Sequence, residues 1–381
     1  MVAGSANEYQ SHVEPFGDGF KIRLISPDLR VALLTKGATL HSVQYRVPPT
    51  SPAAAVADKD GWVELTLGYD TPEEFDHDSS YMGRTCGRYA GRIENGELVL
   101  DGKSYKLLQN DGKNTLHGGP DGFSKRHWKY LLLEGEEEIG ISFHLSSPHL
   151  DQGFPGEVFV TATYSILKNK PATLKWNLQA VLSDASPVNT TTVNLCNHAY
   201  WNLNGVPFSS SSPAHRHLPE NILNHHLQLH SHYVAETKGL IPTGLMNEVE
   251  GTLHDYRRSR PIAEGLEQTG KEGRDPPGYD DPVALETWDS KLREAAVVFS
   301  PKTHISMTVE TTSPAVVVYT ATHLPKDASG GAGERFQRYG GICLETQYFP
   351  NSVNVPSFPS TLVRKNEKYD ETTTCHFRII P

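Results

Sequence analysis

The chain has 381 residues, 37% of them hydrophobic and 21% charged, which is enough apolar material for a buried core and excludes a disordered chain. Its 45 acidic against 35 basic residues leave a formal charge of −10, a poor balance for holding nucleic acid or an anionic membrane through bulk charge. No run approaches the roughly 18 consecutive apolar residues that a membrane-spanning helix needs, and 32 glycines with 26 prolines suit a turn-rich β protein.

The opening MVAGSANEYQSHVEPFGDGF has no basic region followed by an apolar one. That predicts a cytoplasmic protein, with an exported form whose leader has been removed as the alternative. Val43, Tyr45 and Val47 then alternate with Gln44 and Arg46, the period of a half-buried strand. Residues 48–60 read as a surface insertion. Thr71-Pro72-Glu73-Glu74 reads as an N-cap, a proline at the first helical position and a capping glutamate, so a helix of one or two turns is expected.

Residues 87–102 place Arg88 and Arg92 among glycines. A glycine-flanked arginine is free to aim its planar fork of donors at sugar hydroxyls or a carboxylate, or to sit in an ion pair. After the turn Asn110-Asp111-Gly112 comes Asn114-Thr115-Leu116-His117-Gly118-Gly119, where two glycines let the backbone beside His117 approach a ligand closely. Strands follow at Ile139 to Leu145, Val158 to Ile166 and Leu174 to Leu182, each with alternating apolar positions.

In the run from Asn194 to Gly205, an extended chain puts Asn194, Cys196, His198 and Tyr200 on one face. Polar and aromatic groups on a common face suit a sugar cleft, because hydroxyls need paired donors and acceptors while ring faces need apolar stacking. Residues 209–217, 257–277 and 326–333 read as further surface insertions. His225-His226 with His230 and His232 is the only histidine cluster, and it lacks a metal-binding spacing. Residues 287–295 are expected to form a second short helix, and Ile305, Met307 and Val309 another strand. Finally, Cys343, Glu345 and Gln347 share one face of an apolar strand. A glutamate there is costly to bury unless it is paired or held for a task.

Many antiparallel strands with few short helices argue for an all-β sandwich or barrel. Cys86, Cys196, Cys343 and Cys375 are far apart with no zinc spacing, as expected of free thiols in a reducing compartment. There is no phosphate-binding glycine loop. Two arginines, several histidines and one strand glutamate point to cofactor-free acid–base chemistry on a polar small molecule.

In this order, the segments GRYAGRI, NTLHGG followed by GFSKRHW, NLCNHAYWNLNG and CLETQYFPNSVNVPSFPSTLVRKNEKY resemble the aldose 1-epimerase (galactose mutarotase) family, over residues 17–379. The resemblance implies a single domain over residues 1–381, built as a very large antiparallel β-sandwich with the sugar in an open cleft on one sheet. It implies a monosaccharide substrate, interconversion of the α and β anomers of free hexoses such as galactose and glucose, no cofactor and no metal. Monomer is the default expectation. By position, Glu345 resembles the general base and His198 the general acid, while Arg92 and His117 resemble hydroxyl-binding residues. Asp280 resembles a further substrate-binding carboxylate, with Asp281 and Asp255 as alternatives, and Gln347 is taken as substrate-binding beside Glu345. Gly91 stands where the family often has asparagine, and Asp281-Pro282 where His-Asn is usual. The rival readings are a glycoside hydrolase, which wants two carboxylates flanking the bond, and a catalytically silent sugar-binding protein.

Overall fold

The alternating runs of the sequence are strands, and every ladder joining the described strands is antiparallel. The structure, a computed structural model, describes residues 9–207, 219–286, 288–324 and 336–381. The insertions expected at 209–217 and 326–333 lie outside the described residues.

Glu138–Ser147, Val158–Leu167 and Thr173–Leu182 run side by side in a nine-stranded sheet, continued by Lys368–Ile379, Ile305–Thr311 and Arg293–Phe299. A six-stranded sheet contains Gly19–Ile25, Leu29–Leu34, Thr39–Arg46 and Trp62–Thr66. The inward faces of the two sheets meet in one core, with Ile22, Val31, Leu33, Val43 and Val63 from one and Phe143, Val160, Trp176, Met307 and Phe377 from the other. Period-two patterning thus supplies both faces of a sandwich.

A third sheet of five strands orders Ile241–Glu248, Tyr233–Lys238, Asp280–Ala284, Ala315–Tyr319 and Cys343–Gln347. Val283, Val316, Val318 and Leu344 point into the main core. The alternate positions Asp280, Pro282, Val317, Tyr319, Glu345 and Gln347 line a cavity on the other face.

The expected first helix is present as Pro72–Asp76. Thr71 caps it by accepting from the Glu74 amide, and the Glu74 carboxylate accepts in return from the Thr71 amide. The second expected helix, at 287–295, is absent: the described part of that segment turns and then enters the strand Arg293–Phe299. Ladder partners on both sides, His226–Leu229 and Ile305–Thr311, outweigh any local helical preference there. A longer helix lies instead at Ile262–Lys271, inside the segment 257–277 read as a surface insertion. Ile262, Gly265, Leu266 and Thr269 are its buried positions, and Ile262 and Leu266 join the main core. Only two large apolar residues mark that face, and the Gly, Pro and charge around them read as loop.

Arg88 is a structural residue. It is 1% exposed and donates to the carbonyls of Ser147, Pro148, Pro155 and Gly156, tying the turn at 87–88 to the loop that follows Glu138–Ser147. We expect Arg88→Met to lower stability by about 3 kcal/mol or more, because several buried carbonyls lose their donor at ~1–3 kcal/mol each. Urea unfolding read by tryptophan fluorescence checks this; an unchanged midpoint would contradict it.

Candidate active site

The strand Cys343–Gln347 and the segment 194–200 face one another across the floor of the cavity. Only Cys196–Asn197 is regular strand in that segment, paired with Thr85–Cys86. The alternation nevertheless holds along its length. Asn194 Nδ2 donates to Gln347 Oε1 at 3.1 Å, Cys196 Sγ donates to Glu345 Oε2 at 3.3 Å, and His198 Nε2 lies 3.5 Å from Glu345 Oε1. Tyr200 stacks on His198 with ring centroids 5.1 Å apart.

Glu345 is held on one side and open on the other. Its Oε2 accepts from Cys196 and, at 3.2 Å, from Gln347 Nε2, which leaves Oε1 toward His198 and the cavity. Gln347 therefore has both ends of its amide engaged, one by Asn194 and one by Glu345, although it also lines the cavity. His198 Nδ1 lies 3.6 Å from Cys343 Sγ. Both His198 and Glu345 are largely shielded from bulk water, at 5% and 4% exposure, yet both line the cavity. Low dielectric around such a pair strengthens each charge they handle.

Arg92 and His117 arrive together because Arg92–Ile93 pairs with Thr115–Leu116. Gly91 lies between the two parts of this arrangement. Its amide donates to His117 Nδ1 at 3.2 Å, and its carbonyl accepts from the His117 amide at 3.0 Å. Gly91 has φ +71°, and a Cβ there would stand 2.7 Å from the Pro350 ring. That explains why this chain takes glycine at this position. Burial, with His198 and Arg92 nearby, holds His117 well below the usual histidine range. The ring is therefore neutral at pH 7, and with Nδ1 accepting, Nε2 carries the proton as a donor.

Arg92 Nε donates to Asp111 Oδ2 at 2.7 Å, and its Nη1 lies 3.8 Å from Asp280 Oδ2. Burial pushes Asp280 up to about 6 although Arg92 pulls it down, with Glu345 and Asp281 adding to the rise. Strand pleating separates the alternative carboxylates. Asp281 turns to the opposite face and pairs with Arg274 at 2.6 Å and His254 at 3.4 Å, while Asp255 is paired with Arg257. Of the three, Asp280 alone lines the cavity.

The cavity holds about 190 Å³, more than the ~150 Å³ hole that takes up benzene, so one substituted six-membered ring fits. Tyr81, Tyr319, Leu116, Val317 and Pro350 give it apolar and aromatic wall, and Ser79, Ser80 and His323 add polar rim. Sequence reasoning missed Tyr81, which sits at φ +57° in a loop without periodicity, its ring 4.6 Å from that of His117. Tyr319 was legible in principle, since period two places it with Val317 on one face. Its strand partner across the ladder is Asp280.

The histidines at 225–232 do not converge. His225 is buried and accepts from the Leu203 amide, whereas His230 and His232 pair with Glu294 and Glu286. The fold instead gathers possible metal ligands that the sequence scatters. Cys86, His117 and Cys196 form one triad and His117, His198 and Glu345 another, the donor atoms in each within 4.8 Å of one another.

The aldose 1-epimerase family profile matches residues 21–376. Galactose mutarotase of Bos taurus is 33% identical over 369 residues, spanning 96% of this chain and 96% of its own. Aldose 1-epimerase of Escherichia coli is 31% identical over 368 residues, spanning 94% and 96%. The crystal structure of galactose 1-epimerase from Lactobacillus acidophilus shares the fold, with a TM-score of 0.78 at 24% identity and coverage of 98% and 99%. With the profile and these relatives spanning nearly its whole length, the chain belongs to the aldose 1-epimerase family.

Proposed function

We propose that the cavity interconverts the α and β anomers of a free hexose, with Glu345 and His198 as base and acid. The observation that carries this is the 3.5 Å approach of His198 Nε2 to Glu345 Oε1 at the floor of a cavity sized for one sugar ring. The anomeric hydroxyl and the ring oxygen are bonded to the same carbon. Two groups this close together reach both of them at once.

Glu345 takes the proton from the anomeric hydroxyl. The freed electron pair forms the carbonyl at C1, the bond from C1 to the ring oxygen breaks, and that oxygen receives a proton from His198. The open aldehyde turns about its C1–C2 bond. On reclosure the hydroxyl that was the ring oxygen attacks the other carbonyl face and returns its proton to His198, while Glu345 reprotonates the new anomeric oxygen. Each proton that leaves comes back, so no redox partner is consumed. Gln347 and Cys196 hold Glu345 in place. Arg92, neutral His117 and Asp280 are the donors and acceptor for the remaining hydroxyls, and Tyr81 and Tyr319 offer ring faces for stacking. A glycosidase would pair Glu345 with a second carboxylate about 5–9.5 Å away; here the group facing its free oxygen, Oε1, is an imidazole. Polarimetry of freshly dissolved α-galactose tests the reading. We expect the decay to equilibrium to quicken in proportion to protein. Decay at the protein-free rate, or release of reducing sugar from a disaccharide, would overturn it.

Asp280 gives the reaction a pH signature. With its carboxyl at about 6, it is an acceptor for sugar hydroxyls above that pH and protonated below it. KM is therefore expected to climb as pH falls below 6. Asp280→Asn should flatten that limb and raise KM at pH 7.5 by roughly tenfold, the scale of one hydrogen bond to a charged group. Stability runs the other way. The folded state holds this proton more tightly than the unfolded chain, so this carboxyl's stabilising contribution is full below about 3.8 and lost as pH rises through about 6. A KM flat from pH 5 to 8 in the wild type would remove Asp280 from sugar binding.

A further inference from the structure

Behind the sugar cavity lies a pair of thiols, of which only Cys196 touches the acid–base machinery, through its bond to Glu345. Cys86 and Cys196 sit directly opposite one another on paired strands, both free and both fully buried. Their sulfurs and a ring nitrogen of His117 lie within 4.8 Å of one another. We propose that Cys86, Cys196 and His117 bind a thiophilic divalent cation of the Zn2+ class, and that the bound ion blocks sugar binding by taking His117 from the cavity wall.

The donor set selects the ion. Thiolate with imidazole favours zinc or cadmium over magnesium or calcium. At the bond lengths zinc prefers, its ligand atoms stand about 3.3–3.8 Å apart, so side-chain rotation of about an ångström closes the triad. Two thiols release their protons to solvent as the ion enters, and the two thiolates cancel its charge. The neighbouring triad of His117, His198 and Glu345 would leave an uncompensated positive charge in a buried place, which is unfavourable. The fourth position of a three-ligand zinc site stays open to a water.

The loss of sugar binding follows from His117, which belongs to both the triad and the cavity wall. Whichever ring nitrogen ligates the ion, the ring gives up its contact with the Gly91 amide, the bond that fixes its orientation in the cavity wall. This effect rests on the sugar-binding reading of the cavity; the metal site itself does not.

The reduced, metal-free full chain titrated with Cd2+ tests the site. A thiolate-to-cadmium charge-transfer band is expected in the near ultraviolet, saturating at one equivalent. Cys86→Ser should weaken binding by about tenfold or more, since loss of even an outer-shell partner has an effect on that scale. Cys86→Ala should behave alike, and a thermal melt of each variant separates ligand loss from unfolding. Zn2+ should slow mutarotation in competition with galactose, and Cys86→Ser should keep the basal rate while losing zinc sensitivity. Absence of the band, or wild-type affinity in both folded Cys86 variants, would overturn the proposal. A cadmium band with no effect on galactose turnover would leave the site standing and overturn the block on sugar binding.

Discussion

Glu345→Gln is expected to cut turnover by a factor on the order of 10²–10⁴, the contribution of one positioned proton-transfer group, with the fold unchanged. The amide has the shape of the carboxylate and retains an oxygen to accept from Cys196 and Gln347, the contacts that fix residue 345. What it loses is the ability to take a proton. Val317 pairs with residue 345 across the ladder and packs the same way in either case. The measurement is the initial rate of optical rotation change with α-galactose, beside a thermal melt. A near wild-type rate from a folded variant would take the base role away from Glu345.

His198→Asn should lower the rate at least about a hundredfold. Asparagine retains polarity but cannot carry a proton to the ring oxygen and receive it back. The nearest substitute, Tyr200, stacks on His198 but donates its hydroxyl to the Ser80 carbonyl at 2.9 Å, and burial raises it well above the ordinary tyrosine range. A loss below about tenfold would mean that Tyr200 breaks that bond and serves as the acid. The double variant Tyr200→Phe with His198→Asn then loses the remainder, whereas under the present account it adds little.

How much of this was visible in the sequence depends on the kind of signal. The strands read easily because one buried face imposes period two, and that rule carried over even where regular pairing did not. Asn194, Cys196, His198 and Tyr200 share a face although only Cys196–Asn197 is ladder. The same rule separates Asp280 from Asp281. It could not say which of them met the cavity, because that depends on which face of the Asp280–Ala284 strand the core covers. The helix Ile262–Lys271 was hidden by its setting, ten residues with two large apolar side chains in a stretch rich in Gly, Pro and charge, and the expected one at 287–295 gave way to a ladder formed by strands remote in sequence. Arg88 and Arg92 look alike as glycine-flanked arginines, yet one holds carbonyls inside the fold and the other lines the cavity. Only the partners distinguish them, and those lie far along the chain. Tyr81, and the meeting of Cys86 with Cys196 and His117, are likewise products of tertiary approach with no local pattern to announce them.

The most direct test is a crystal structure of Glu345→Gln with galactose bound. The account predicts the anomeric oxygen within about 2.6–3.2 Å of residue 345 and the ring oxygen at a similar distance from His198 Nε2, with the other hydroxyls toward Arg92, His117 and Asp280. A sugar seated with C1 at the Arg92 end, and another hydroxyl between residue 345 and His198, would contradict it.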